Sequence, residues 1–143
     1  MNDRKIVDRK IPKRYIPFGL SKKDTVKQRE GIMRSRKAYT KRKYVDRPHL
    51  KSFVSKPSSH VSRAIKKFGV ESMAPTPTLA RATGCKVWAL KKIINKGEGA
   101  YYSSGSRPNQ TPQSWGYARL ASALTGGPAA KVDADILQSG CHR

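Results

Sequence analysis

Apolar residues take up helical spacing mainly in the second half of this chain. Val61, Ala64, Ile65 and Phe68 recur at i, i+3, i+4 and i+7, one face of a helix. Ser58 and Ser59 stand where an N-cap belongs, and Gly69 where a C′ glycine belongs. After a Pro-containing linker at 70–78, residues 79–83 read as a short helix ended by Gly84. Residues 86–96 read as the next helix, with Val87, Leu90, Ile93 and Ile94 on one face and Gly97 as its stop. The stretch 97–114 reads as a long Gly/Ser/Pro-rich loop. Thr111-Pro112 or Ser114 opens a helix to about Leu124, packed through Trp115, Ala118, Ala121, Ser122 and Leu124. Gly126-Gly127-Pro128 ends it, and a last turn or two covers 131–137. No strong strand pattern or internal repeat is visible.

The first half reads differently. Pro12 and Pro17 bias their predecessors toward extended backbone. Residues 1–20 therefore read as an extended arm with apolar anchors at Ile11, Tyr15, Ile16, Phe18 and Leu20. Ser21 is a plausible N-cap with Asp24 three residues on, opening a helix over about 22–36. Val26, Ile32 and Met33 give that helix little to bury, and Gly31 weakens it by about 1 kcal/mol relative to alanine. The expected fold is mainly α: a compact helical domain at 58–137 that contains the 97–114 loop, behind a long, largely irregular basic arm at 1–57, with a tail at 138–143.

Charge sharpens this division. The 143 residues carry 31 Lys/Arg against 9 Asp/Glu, a formal charge of +22. Residues 1–72 hold 22 of the cations and 6 of the acids; the remainder hold 9 and 3. So lopsided a balance favours a polyanionic partner or an acidic protein surface over a metabolic substrate. The chain has no apolar run long enough to span a membrane and no apolar stretch of the secretory kind at its start. Two cysteines in such a chain suggest free thiols in a reducing compartment, although a Cys85–Cys141 bridge stays open until geometry decides it. Scattered histidines and cysteines offer no zinc spacing, and no Ser-His or Cys-His constellation is legible. Neither a cofactor nor catalysis is expected.

Three features are candidates for binding. The run Lys41-Arg42-Lys43, with Tyr15, Tyr39 and Tyr44 interleaved among cations, suits phosphates and bases, or equally an acidic protein. In residues 79–85 a small residue, Ala80, precedes the turn glycine Gly84 by four, and Leu90 and Ile93 follow it at six and nine. That spacing suits two helices crossing at about 90–120°, as in a helix-turn-helix, whose second helix would offer Lys86, Trp88, Lys91 and Lys92. A plain structural corner fits the same spacing. The 97–114 loop has donors and glycines for a phosphate cradle but lacks Walker spacing. It reads more simply as a rigid loop pinned by Tyr101, Tyr102 and Trp115. Arg107 and Arg119 could satisfy loop carbonyls or bind a carboxylate on a partner chain, and Arg107 joins Lys41, Arg42, Lys43, Lys91 and Lys92 as a candidate polyanion contact.

Three blocks carry a resemblance: residues 16–24, residues 46–59 from Asp46-Arg47-Pro48 to Ser58-Ser59, and GEGAYYSSGSRPNQTPQSWGYARLASALTGGPAAKVDADIL at 97–137. Over about 12–137 the chain resembles an uncharacterised family of small basic proteins encoded by large double-stranded DNA viruses, such as algal giant viruses, and by some tailed phages. The family pattern implies an aromatic after the paired serines, where this chain has His60. The resemblance implies a viral setting and carries over no catalytic residue. On that footing the expected function is a minor capsid or cement-type virion protein on the inner side of the shell. Its arm anchors would contact major capsid and other minor capsid proteins, in many copies, with DNA as a further partner. Host cytoplasm or nucleus would be its place during assembly. The alternative is a nucleic-acid-binding protein, either genome-condensing or a helix-turn-helix regulator.

Overall fold

The computed structural model of the chain describes residues 6–56 and 58–142. The first residues of the expected arm, its boundary at Pro57 and the last tail residue lie outside them. The architecture is mainly helical. After a 3-10 turn at Lys13–Tyr15 come α1 (Lys22–Thr40), α2 (Ser59–Phe68), α3 (Pro77–Thr83), α4 (Val87–Ser103), α5 (Pro112–Leu124), α6 (Pro128–Val132) and α7 (Ala134–Gly140). Among the described residues the sole β feature is an isolated antiparallel bridge between Cys85 and Cys141.

The chain forms two compact units. One comprises Met1–Lys56 with Gly99–Pro112, the other Pro57–Glu98 with Gln113–Arg143. The division near residue 57 follows the change in sequence character. The 97–114 segment does not stay with the helical domain as expected, since residues 99–112 belong with the basic half. The basic half is correspondingly not laid out as a free arm.

In the second unit the helices form as the periodicity says. The Ser58 hydroxyl accepts from the Val61 amide to start α2, and Gly69 ends it in the left-handed conformation at φ 65°. Thr76 caps α3 in the same way, with Pro77 in its first turn, where a missing N–H costs nothing. Ala64, Met73, Leu79, Leu90, Ile93, Leu120 and Leu124 are essentially fully buried in one apolar cluster. At about 25 cal/mol per Å² of apolar surface, burying each Leu or Ile contributes about 1.5–3 kcal/mol.

Gly97 is not a helix stop. The helix runs past it to Ser103, and the glycine serves a close helix crossing. A Cβ there would lie 2.7 Å from the Gly116 Cα of α5. One on Gly116 would lie 2.8 Å from the Ile94 carbonyl oxygen. At the far end Cys85 and Cys141 are disulfide-bonded, so the expectation of free thiols does not hold. The bridge joins the turn before α4 to the end of α7, flanked by Lys86 N–H to Gly140 O (2.7 Å) and His142 N–H to Gly84 O (2.8 Å). Arg119 forms a two-pronged pair with Asp133 (Nε to Oδ2 2.9 Å, Nη2 to Oδ1 2.8 Å), so its carboxylate comes from its own chain.

The first unit has a different kind of core. The buried positions of α1 are Asp24, Gln28, Gly31, Ile32, Ser35 and Arg36. That is a regular helical stripe, but mostly a polar one. The helix begins at Ser21, whose hydroxyl accepts from the Asp24 amide at 3.1 Å, as expected. It runs four residues beyond the expected end, to Thr40, where the Arg42 and Lys43 amides close it on the Tyr39 and Ala38 carbonyls.

Candidate nucleic-acid interface

Each polar residue on the buried face of α1 reaches a segment distant in sequence. Asp24 accepts from the Ser52 amide (2.9 Å) and hydroxyl (2.5 Å). Those two hydrogen bonds, reinforced by Lys27 and Lys23, hold its carboxyl below the ordinary carboxylate range. Gln28 donates to the carbonyls of Tyr15 (2.9 Å) and Ser106 (3.0 Å). Ser35 donates to the Tyr102 carbonyl at 2.9 Å. Arg36, with no exposed surface, donates to the carbonyls of Ser104 (3.0 Å), Val7 (3.5 Å) and Arg9.

Arg47 completes this network. It donates to Ser35 Oγ (3.2 Å), Tyr101 O (3.0 Å) and Ser106 Oγ (2.7 Å), with its guanidinium carbon 3.7 Å from the centre of the Tyr101 ring. Burial lowers the pKa of both arginines. It raises that of Tyr101 against the opposing pull of Arg47. Two guanidinium groups are thus held by neutral acceptors and an aromatic face. Among the described residues, the ion pairs both end on Asp133 in the other unit.

This arrangement assigns the 104–111 loop a scaffolding role. A recess of about 180 Å³ is lined by Gln28, Arg47, Ser106 and Asn109 among others. Gln28 Nε2, Arg47 Nη1 and Nη2, Ser106 Oγ and Asn109 Nδ2 already serve protein acceptors. Asn109 donates to the Leu50 and Phe53 carbonyls and accepts from the Leu50 amide. A phosphate entering there would compete with these bonds. A second recess, at the start of α1, is lined by Lys23, Lys27 and Lys51 but also by Asp24, so that helix N-terminus already has its anion.

The cations that face outward are of another kind. Lys41, Arg42 and Lys43 are exposed at the C-terminus of α1, where the helix dipole favours positive charge. The Arg42 amide donates to Tyr39 O (3.0 Å) and the Lys43 amide to Ala38 O (2.9 Å), a Schellman closure. Arg42 occupies its left-handed position at φ 60°, normally given to glycine. The basic run is therefore held in one conformation at some cost in backbone energy. Tyr44 beside it is 64% exposed, its ring centre 5.0 Å from that of Tyr102 and 6.3 Å from that of Tyr39.

In the second unit α4 buries Ala89, Leu90, Ile93 and Ile94 and exposes Trp88, Lys91, Lys92 and Asn95 on its other face. Lys86 is exposed just before it, while Lys96 lies 3.7 Å from Asp133. The turn before α4 requires Gly84: its φ is 73°, and a Cβ would meet His142 O at 2.6 Å. Lys91 and Lys92 thus stand on an open basic face, as the helix-pair spacing predicts.

The proposed arm anchors divide. Tyr15 is buried in its own unit, and Ile11, Ile16 and Leu20 are half-buried. Phe18 projects completely. Arg107 is exposed, and its carbonyl accepts from Ser106 Oγ at 2.8 Å. Sequence reasoning missed Asp24, Gln28, Arg36, Arg47 and Asn109 as the residues that order the basic half. For Asp24 and Gln28 the signal was the helical spacing 24, 28, 31, 35, carried by polar residues and Gly31; no such spacing marks Arg47 and Asn109.

The family model described as "Family of unknown function (DUF5824)" matches residues 12–138, most of the chain. The chain belongs to that family. Residues of both units fall within the DUF5824 match. No curated protein and no solved structure gives a match. Among the described residues no group of three or more His, Cys, Asp or Glu is placed to hold a metal ion. No described helix is long and apolar enough to cross a membrane.

Proposed function

We propose that this protein binds nucleic acid, chiefly through phosphates. The observation that carries the reading is the excess of outward cations over outward acids. Among the described residues the exposed acids are Asp8, Glu30, Asp46, Glu71 and Asp135, far fewer than the exposed Lys and Arg. Lys41, Arg42, Lys43, Lys91 and Lys92 face outward. Each phosphate neutralised releases condensed counterions, so a modest number of contacts supports strong binding at low salt. Tyr44 adds an open aromatic face next to the basic run, suited to stacking on a base. The test is replacement of Lys41, Arg42 and Lys43 by alanine. The expected result is weaker binding to duplex oligonucleotides of every sequence, with the slope of log K against log salt reduced by about 3 if each contacts one phosphate. An unchanged slope would refute the role of this run.

A second reading is favoured by Phe18. With relative exposure of 108% between Pro17 and Gly19, the latter at φ 102°, its ring projects from the protein. An apolar side chain held that way suits insertion into a neighbouring protein. In this reading the protein is a cement-type minor capsid component of a virion, with Phe18 as its exposed anchor. Phe18→Ser would then abolish incorporation into particles and leave DNA affinity unchanged. Retained incorporation would sink it.

A further inference from the structure

We propose that α4 is a recognition helix that enters the major groove of duplex DNA, placing Lys91, Lys92 and Asn95 at base edges with Trp88 beside them. The inference rests on the nucleic-acid reading above and names the element and the form of the partner. It starts from the helix pair α3–Gly84–α4. Ala80 packs against the core, Leu90 and Ile93 are completely buried, and Gly84 makes the turn in the left-handed conformation. These are the roles a crossing pair of helices assigns to those positions. Burial of 89, 90, 93 and 94 leaves 88, 91, 92 and 95 as the outward stripe, at i, i+3, i+4 and i+7.

The chemistry of that stripe is selective. It carries two lysines, an asparagine and a tryptophan, and no carboxylate. Lysine donates to the O6 and N7 of guanine, and asparagine pairs in two-pronged fashion with the N6 and N7 of adenine. Trp88 is 46% exposed. A Cβ on Gly140 of α7 would come within 3.1 Å of its ring, so the indole rests against that glycine and is held in place. Its open part offers apolar contact of the kind a thymine methyl accepts. The neighbouring Lys96 is drawn away to Asp133 and is left out of the set. A helix face of this kind fits the wide major groove of B-form DNA. The narrow major groove of A-form RNA excludes it.

The test uses the full chain. A preferred duplex is selected from a randomised pool, and affinities for it and for a scrambled duplex are measured at one salt concentration. The unmodified chain is expected to prefer the selected sequence by roughly 100-fold or more. Lys91→Ala combined with Asn95→Ala, both exposed and so tolerated by the fold, is expected to reduce that preference to a few-fold. This corresponds to about 5- to 150-fold per lost base contact, with affinity for the scrambled duplex lowered far less. The Lys41, Arg42 and Lys43 alanine variant should weaken both duplexes equally and keep the preference. Binding without sequence preference, stronger binding to single strands, or a preference that survives the Lys91/Asn95 replacement would each overturn the role of α4 while leaving the wider reading standing. Absence of binding to any nucleic acid would overturn both.

Discussion

Two glycines two residues apart in α4 give opposite predictions on replacement by alanine. Alanine is favoured over glycine in a helix interior by about 1 kcal/mol. At Gly97 the new Cβ would lie 2.7 Å from Gly116 Cα, 3.1 Å from Trp115 O and 3.2 Å from Arg119 Cβ. Carbon atoms prefer about 3.5–4.0 Å, and two of these neighbours are backbone, so α4 and α5 must part by several tenths of an ångström or more. Overpacking of this kind costs about 1–3 kcal/mol, and toward the upper end where backbone must move. Gly97→Ala is therefore expected to destabilise by about 1–2 kcal/mol net. At Gly99 the nearest atom is Tyr39 Oη at 3.7 Å, an ordinary contact. Gly99→Ala is expected to stabilise by up to about 1 kcal/mol. Urea unfolding of the two variants, followed by far-ultraviolet circular dichroism, measures both shifts. Equal or greater stability of Gly97→Ala than of the unmodified chain would refute the helix crossing at Gly97 and Gly116.

Other residues give separate tests. Arg47→Lys keeps the charge but loses the planar fork that spans Ser35, Tyr101 and Ser106 and stacks on the Tyr101 ring, so a loss of about 2 kcal/mol or more is expected in the same unfolding assay. Arg42→Gly relieves a left-handed backbone at φ 60°, and should raise stability by about 1 kcal/mol while weakening DNA binding. Asp24 has its folded pKa lowered by Ser52, so its contribution is present above the ordinary 3.8 and is lost as pH falls through the lower folded value. Ser52→Ala should move the Asp24 titration, followed by NMR, back up toward 3.8. Reduction of Cys85–Cys141, which closes a loop with a sequence separation of 56, should cost up to about 4 kcal/mol and lower the Tm.

The two units were unequally legible in the sequence because their cores are written in different chemistry. Val61, Ala64, Ile65 and Phe68 bury an apolar face, and hydrophobic spacing with a C′ glycine locates α2 to within a residue. Gly84, after a short helix and before another, marks a turn in sequence and makes one in the structure. The same rule takes Gly97 for a stop, since a glycine that admits a neighbouring helix looks identical in sequence to one that ends a helix. In the first unit the buried stripe of α1 is Asp24, Gln28, Ser35 and Arg36 around Ile32. Hydrophobicity sees nothing there, and the segment reads as an arm. Its partners lie some 70 residues away, at Ser104 and Ser106, and only folding brings them into reach. The outward lysines of α4 were legible because burial of Leu90 and Ile93 fixes which face remains.

The central claim is that the outward cations serve nucleic acid, with phosphate contacts supplying most of the affinity. Its most direct test is the affinity of the unmodified full chain for a mixed-sequence duplex between 50 and 200 mM salt. With about 6–10 phosphates contacted, the binding constant should fall roughly 10³- to 10⁵-fold over that range, linearly in log K against log salt. Undetectable binding at 50 mM salt, or binding whose strength does not change with salt, would contradict it.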